Sequence, residues 1–407
     1  MWSKLLAVRS IRWPVILLFF SFPAIGLAQS GDATAETLVK LGFENVRWTE
    51  DAQERIYVIE NSAYRLEGTG IRKAVEQIQN NGMSIEKPCR LIVLNNNVPE
   101  ISLYYKPVKN DSTAKASFND WNVSYSMGDS WNKVKKIKGL NSSLFKVDIL
   151  IYPELSFQNL IITQIYQVLF NLSPAIEVSM WKGMKLTAQV KIPVYNDGYG
   201  SLNDKVMPGF VTLAQNFRLP FNLFGTATIG LFNYDRYGVD LKLFHPFKNE
   251  HFSVEGRIGL TANGYWDGFK FHYGTKTRLT WSLGGNYYWP RFNVQFNLKA
   301  EQYLLGEKGI RFEMIRHFRY CSIGLYAMKA QHANTNGGFR FQIALPPYKY
   351  KRKKYYPRIE PSDNIGIAYN AGNEQYYYKM YRANASENIM QNNSFNPFFI
   401  KSELLNF

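Results

Sequence analysis

Met-Lys-Leu-Thr-Ala-Gln-Val-Lys-Ile at residues 184–192 and Phe-Asn-Val-Gln-Phe-Asn-Leu-Lys-Ala-Glu at residues 292–301 decide the fold class. In the first stretch Met184, Leu186, Ala188, Val190 and Ile192 alternate with Lys185, Thr187, Gln189 and Lys191. In the second, Phe292, Val294, Phe296, Leu298 and Ala300 alternate with Asn293, Gln295, Asn297, Lys299 and Glu301. Successive side chains of a strand point to opposite faces, so a period of two means a strand with one apolar and one wet face. The same period recurs, less cleanly, over Tyr237–Leu243, Phe252–Leu260, Leu279–Leu283, Ile310–Met314 and Phe339–Leu345. Turn signals at Asn196-Asp197-Gly198, Pro220, Pro246, Pro290 and Gly306 punctuate the series. Residues 144–407 therefore read as roughly a dozen antiparallel strands of about 9–12 residues, the length a tilted strand needs to cross a bilayer.

Two architectures use such a pattern. A soluble sandwich buries its apolar faces against each other, whereas an outer-membrane barrel turns them to lipid and keeps its polar faces around a lumen. Three features favour the barrel. Charges sit mid-strand at Lys191, Asp240, Arg257, Lys299 and Arg340. The strands exceed the usual five or six residues. Aromatics gather near strand ends, at Phe221, Phe224, Tyr287, Tyr288, Trp289 and Tyr376 to Tyr378, as at a membrane interface. The apolar side chains Val294, Phe296 and Leu298 are expected to face lipid and Gln295, Asn297 and Lys299 the lumen.

The composition agrees. Of 407 residues 46% are hydrophobic and 16% aromatic, with a formal net charge of +16. Two Cys exclude a disulfide scaffold, and five scattered His leave little for a metal cluster, so no metal and no cofactor is expected. Cys89 and Cys321 fall in separate regions and are expected to be free thiols. Lys4, Arg9 and Arg12, the apolar run Val15–Phe22 and the small residues before Ala28 read as a secretory signal peptide over residues 1–28. No later apolar run reaches helix length, so any crossing of a membrane falls to strands.

Residues 36–105 differ from the rest. Val46 with Trp48 and Ile56 with Val58 read as short strands, and Tyr64–Asn80 carries Leu66, Ile71, Val75 and Ile78 at helical spacing, with Gly82 as a left-handed cap. Two further strands, Arg90–Leu94 and Ile101–Tyr105, flank a turn at Asn95–Pro99, giving a small ββαββ α/β module placed in the periplasm. Gly68-x-Gly70 lacks a third glycine and is a poor phosphate loop. Residues 106–143 are polar, with Lys133, Lys135, Lys136 and Lys138 clustered, and read as a linker or a first strand and loop.

Gly42-Phe43-Glu44-Asn45-Val46, Glu60-Asn61, Tyr64-Arg65, Trp181-Lys182-Gly183, Tyr237-Gly238-Val239-Asp240, Gly309-Ile310-Arg311 with Arg316, and Gly337-Gly338-Phe339 leading to Leu345-Pro346 stand in this order along the chain. Together they resemble the YjbH-type family of outer-membrane β-barrel proteins, linked to exopolysaccharide and capsule production in Gram-negative bacteria. The resemblance implies a non-enzymatic barrel that assists export or surface assembly of a polysaccharide. Its implied partners are outer-membrane lipid, the polysaccharide and other export proteins of the envelope.

The alternatives are a general porin and a barrel-embedded lipid hydrolase. The hydrolase lacks a Gly-x-Ser-x-Gly or His-Glu-x-x-His motif, so no catalytic residue is expected. Nucleic acid is excluded for a secreted barrel without a recognition motif. Candidate contacts for a glycan or anionic lipid are Arg257, Lys299 and Arg340 on the wet faces and the run Lys349, Lys351, Arg352, Lys353 and Lys354 beyond Pro346-Pro347.

Overall fold

The computed structural model describes residues 31–84, 86–107, 116–159, 166–345, 350–372, 381–387 and 394–405; the expected signal peptide, Tyr376 to Tyr378 and Lys349 lie outside them. Helix α1 (Gly31–Leu41) leads into β1 (Glu44–Glu50), β2 (Arg55–Glu60), α2 (Glu67–Asn81), β3 (Cys89–Asn95) and β4 (Val98–Tyr105), followed by β5 (Trp121–Ser124) and α3 (Ser130–Val134). The five strands form one sheet in chain order. Strands β2 and β3 run parallel because α2 carries the chain back between them, and the other pairs are antiparallel.

This unit is larger than the span 36–105. Part of the stretch read as a linker belongs to it, because Trp121 is fully buried in its core and Lys133 pairs with Asp51 at 2.8 Å and Glu54 at 3.0 Å. Helix α2 starts at Glu67 rather than Tyr64. The Asn61 side chain accepts from the Tyr64 N–H and donates to its carbonyl, a local turn that competes with the helix. Gly82 ends α2 at φ −119°, not left-handed; a Cβ there would lie 2.6 Å from Thr34, so packing is what requires glycine. Ile71, Val75 and Ile78 place one helix face into the core with Leu38, Leu91, Val93 and Leu103, and each fully buried side chain of this kind contributes about 1.5–3 kcal/mol.

The second sheet has fourteen strands. They are β6 (Val147–Asn159), β7 (Tyr166–Trp181), β8 (Met184–Asp197), β9 (Met207–Leu219), β10 (Leu223–Phe232), β11 (Arg236–Pro246), β12 (Phe252–Asp267), β13 (Lys270–Trp289), β14 (Val294–Gln302), β15 (Lys308–His317), β16 (Cys321–Ala330), β17 (Asn336–Ala344), β18 (Arg358–Pro361) and β19 (Asn364–Asn370). Chain neighbours from β6 to β17 pair antiparallel. Strand β19 pairs antiparallel with β17, and β18 pairs parallel with β6. The run 358–370 thus touches both the first and the last long strand, and Ser362 N–H donates to the Ile151 carbonyl at 2.9 Å.

Several strands outrun the expected length; β12 has 16 residues and β13 has 20. Phe292 lies outside β14, in a short turn that Pro290 opens and Asn293 closes at φ +48°. Cys89 and Cys321 are free. The C-terminal helix α4 (Pro397–Leu405) leaves the large sheet and inserts Ile400 and Leu404 into the core of the N-terminal unit, so residues 397–405 are packed with that unit.

One end of the large sheet meets the N-terminal unit. Gly183 N–H donates to the Asn96 carbonyl, Arg218 donates to the carbonyls of Pro99, Glu100 and Tyr125, and Glu250 accepts from Ser124 and Tyr125. These residues lie in or beside the β7–β8, β9–β10 and β11–β12 connections. Asn293, at the β13–β14 connection, bonds Ser402 of α4. Phe224 and Tyr288 face this junction and are buried, so neither is an interfacial aromatic; Phe221, at 90% exposure, and Trp289 project outward.

Candidate functional site

Alternation in the large sheet gives it an inverted polarity. On β12, Val254, Ile258 and Leu260 are exposed while Thr261 is buried; on β14, Leu298 is 57% exposed and Asn297 only 2%. The same holds for exposed Leu186 and Ile192 against buried Thr187 and Gln189 on β8, and for exposed Phe312 against buried Arg311 and Glu313 on β15. The inner face and the N-terminal unit bound a cavity of about 1340 Å³.

Most of the charges described on this inner face are paired, while Arg236 bonds the Thr261 hydroxyl and carbonyl. Arg257 Nε lies 2.7 Å from Asp240, Lys299 pairs with Glu255, and Glu313 lies 3.1 Å from Arg340 and 3.6 Å from Arg311. Tyr152 donates to Glu177 at 2.7 Å, and Lys185 pairs with the same carboxylate at 3.0 Å. A buried charge is tolerated only when paired and hydrogen-bonded, which explains why acids and bases alternate around the wall. Arg257, Lys299 and Arg340 are on the inner face, and each is paired with a carboxylate.

The basic run divides. Lys351, Lys353 and Lys354 are exposed. Arg352 turns inward to Asp148 at 2.6 Å and Glu44 at 3.2 Å, beside Arg358 on Asp148 at 2.7 Å. That cluster ties β6 and β18 to β1 and is structural. The structure does not bring the run together with Arg257, Lys299 or Arg340.

Residues 381–387 lie on the inner face, a feature that sequence reading missed. Tyr381 Oη donates to Asp240 at 2.6 Å and lies 3.4 Å from Thr280; its ring stacks on Phe232 and under the Arg257 guanidinium, 4.5 Å from the centroid. A Cβ at Gly259 would sit 1.8 Å from that hydroxyl, so the wall leaves a gap for it. Arg382 reaches Glu154 at 3.5 Å, Ala385 packs with Tyr152, Ala175 and Phe210, and Glu387 pairs with Lys242. Adjacent residues thus touch β13 and β6, seven positions apart in the strand order. Flat, those strands would be about 34 Å apart, beyond the roughly 20 Å that two neighbouring side chains can bridge. The sheet curves around this segment.

Three carboxylates sit at the junction with the N-terminal unit. Burial pushes Glu67 up to about 8, Glu100 up to about 7 against the opposing charge of Arg218, and Glu403 up to about 7 against that of Arg319. Among the described residues no group of three His, Cys, Asp or Glu could hold a metal ion. Among the described residues, Ser322 Oγ lies 3.0 Å from His317 Nδ1, a nucleophile beside a base. His317 Nε2 faces the Gln295 amide oxygen at 3.3 Å rather than a carboxylate, and the ring is 3% exposed behind Tyr288 and Phe399.

No protein-family model matches the chain, and no curated protein matches it.

Proposed function

We propose that the large sheet closes into an outer-membrane barrel, with residues 31–143 and α4 forming a periplasmic module under it. The protein, without catalysing a reaction, assists export or surface assembly of an exopolysaccharide or capsule. The inverted polarity carries the membrane reading: exposed Ile258, Leu260, Leu283 and Leu298 on one face, buried Asp240, Asn297 and Arg311 on the other. An outer face of that kind is stable against acyl chains and costly in water. Among the described residues no helix is long and apolar enough to cross a membrane.

Closure is supported by the run 358–370. Twelve up-and-down strands from β6 to β17 and this run make thirteen staves, and an odd number meets at one parallel pair, which is how β18 lies on β6. Closure also removes the open edges that β6 and β17 would otherwise expose to aggregation. Barrels of this class keep short turns on the periplasmic side, and the turns at Gly183, Phe221 and Asn293 are the ones against the module. The polysaccharide role rests on the YjbH-type resemblance. A porin is less well supported, because 381–387 crosses the lumen. Deleting the gene and quantifying surface polysaccharide tests the role, with membrane fractionation of the wild type. Unchanged polysaccharide rejects the export role, and recovery in the soluble fraction rejects the barrel.

A further inference from the structure

We propose that the lumen is a passage for hydrated solutes which the chain's own residues 381–387 close reversibly, as a strap clasped by ion pairs. This rests on the membrane-barrel reading above and goes beyond it by naming what closes the lumen. The way the strap is held carries the argument. Every wall strand is fixed by a backbone ladder, but the only backbone bond between described strap residues and the wall is Asn233 N–H to the Arg382 carbonyl at 3.4 Å. Side chains add Arg382 to Glu154, Glu387 to Lys242, Tyr381 to Asp240, Arg257 donating to the Tyr381 carbonyl at 3.2 Å, and the Asn233 side chain accepting from Arg382 N–H.

Apolar attachment is slight. Ala383 and Ala385 are small, and Tyr381, stacked on Phe232 at 5.7 Å, is the largest apolar side chain among residues 381–387; Ala383 adds to the Phe232 and Leu304 cluster and Ala385 packs on Tyr152, Ala175 and Phe210. The strap would uncover Asp240, Lys242, Glu154 and Arg257, which are charged and can be rehydrated, together with two small apolar clusters, Phe232 with Leu304 and Tyr152 with Ala175 and Phe210. Elements held by few apolar contacts and exchangeable polar ones open first. The strap is also anchored beyond the lumen, since α4 is fixed in the module by Ile400, Leu404 and the Lys401 bonds to the carbonyls of Phe118, Asn119 and Trp121. A displaced strap therefore stays tethered and can return.

The test uses the full chain with Cys89→Ser, Cys321→Ser and Ala385→Cys, reading maleimide labelling in detergent and conductance in planar bilayers. Labelling should be slow in this background and at least about tenfold faster when Arg382→Gln and Glu387→Gln unclasp the strap, with conductance rising in step. Gly259→Val, which displaces the Tyr381 hydroxyl from the wall side, should act the same way. Without either substitution, raising salt from about 0.1 to 1 M should speed labelling, because screening weakens ion pairs; this arm survives if the variants do not fold. Labelling unchanged by the substitutions, or by salt where they fail to fold, overturns the proposal and makes 381–387 a fixed part of the wall. Faster labelling in silent bilayers retains the strap as displaceable and removes the membrane passage, so the two readings fail separately.

Discussion

Leu298 and Lys299 are chain neighbours in different surroundings: one is 57% exposed on the outer face, the other is paired with Glu255 inside. Leu298→Arg should destabilise the bilayer-folded protein by about 2–4 kcal/mol, as a cation near the midplane of a barrel does. Urea titration in liposomes measures it; a cost near zero would mean that the outer face of β14 meets water. Arg at Asn297 is no harmless control, because that amide is buried between Glu255 and Asn286. The alternation itself was legible from residues 184–192 and 294–301, since a period of two follows from strand geometry alone. The pairing of Arg257 with Asp240 and of Arg340 with Glu313 was not, because these partners lie 17 and 27 residues apart and meet only through register.

At the level of elements, α4 shows how tertiary contacts overrule local preference. Nine residues are too few for a stable isolated helix, so its order comes from Ile400 and Leu404 in the module core. Glu403 beside Gly68 makes that docking pH-dependent. Burial raises its folded pKa to about 7, above the ordinary carboxylate value, so the folded state holds the proton more tightly than the unfolded one. Docking is then strongest below about pH 4.5 and weakens as pH rises through 7, by at most about 3 kcal/mol. Limited proteolysis at pH 5 and pH 8 should cut the C-terminus faster at pH 8, and Glu403→Gln should remove the difference. Equal cutting of the wild type at both values would refute the linkage. Helix α2 was legible from Ile71, Val75 and Ile78, but its start was not, because the Asn61 side chain sets it. The strap was invisible: lacking periodicity, residues 381–387 are defined only by what they touch.

Across the whole molecule, the prediction concerns sidedness. Phe269, at the β12–β13 tip, is 70% exposed, and Lys354 is exposed beside the module end. With Cys321→Ser removing the accessible native thiol, Phe269→Cys should react with a membrane-impermeant maleimide on intact cells, and Lys354→Cys only after the outer membrane is permeabilised. The reverse pattern would put the module outside. What the sequence determined by itself was the alternating strands, the helix face of α2 and the turns at Pro220, Pro290 and Gly306, all set by local sterics and periods of 2 and 3.6. Tertiary structure alone decided the parallel contact of β18 with β6, the pairing of Arg257, Lys299 and Arg340 with carboxylates, the transfer of α4 to the module and the passage of 381–387 across the inner face. Each of these joins residues that are remote in the chain, and alternation says which face a side chain takes without saying which partner it meets there.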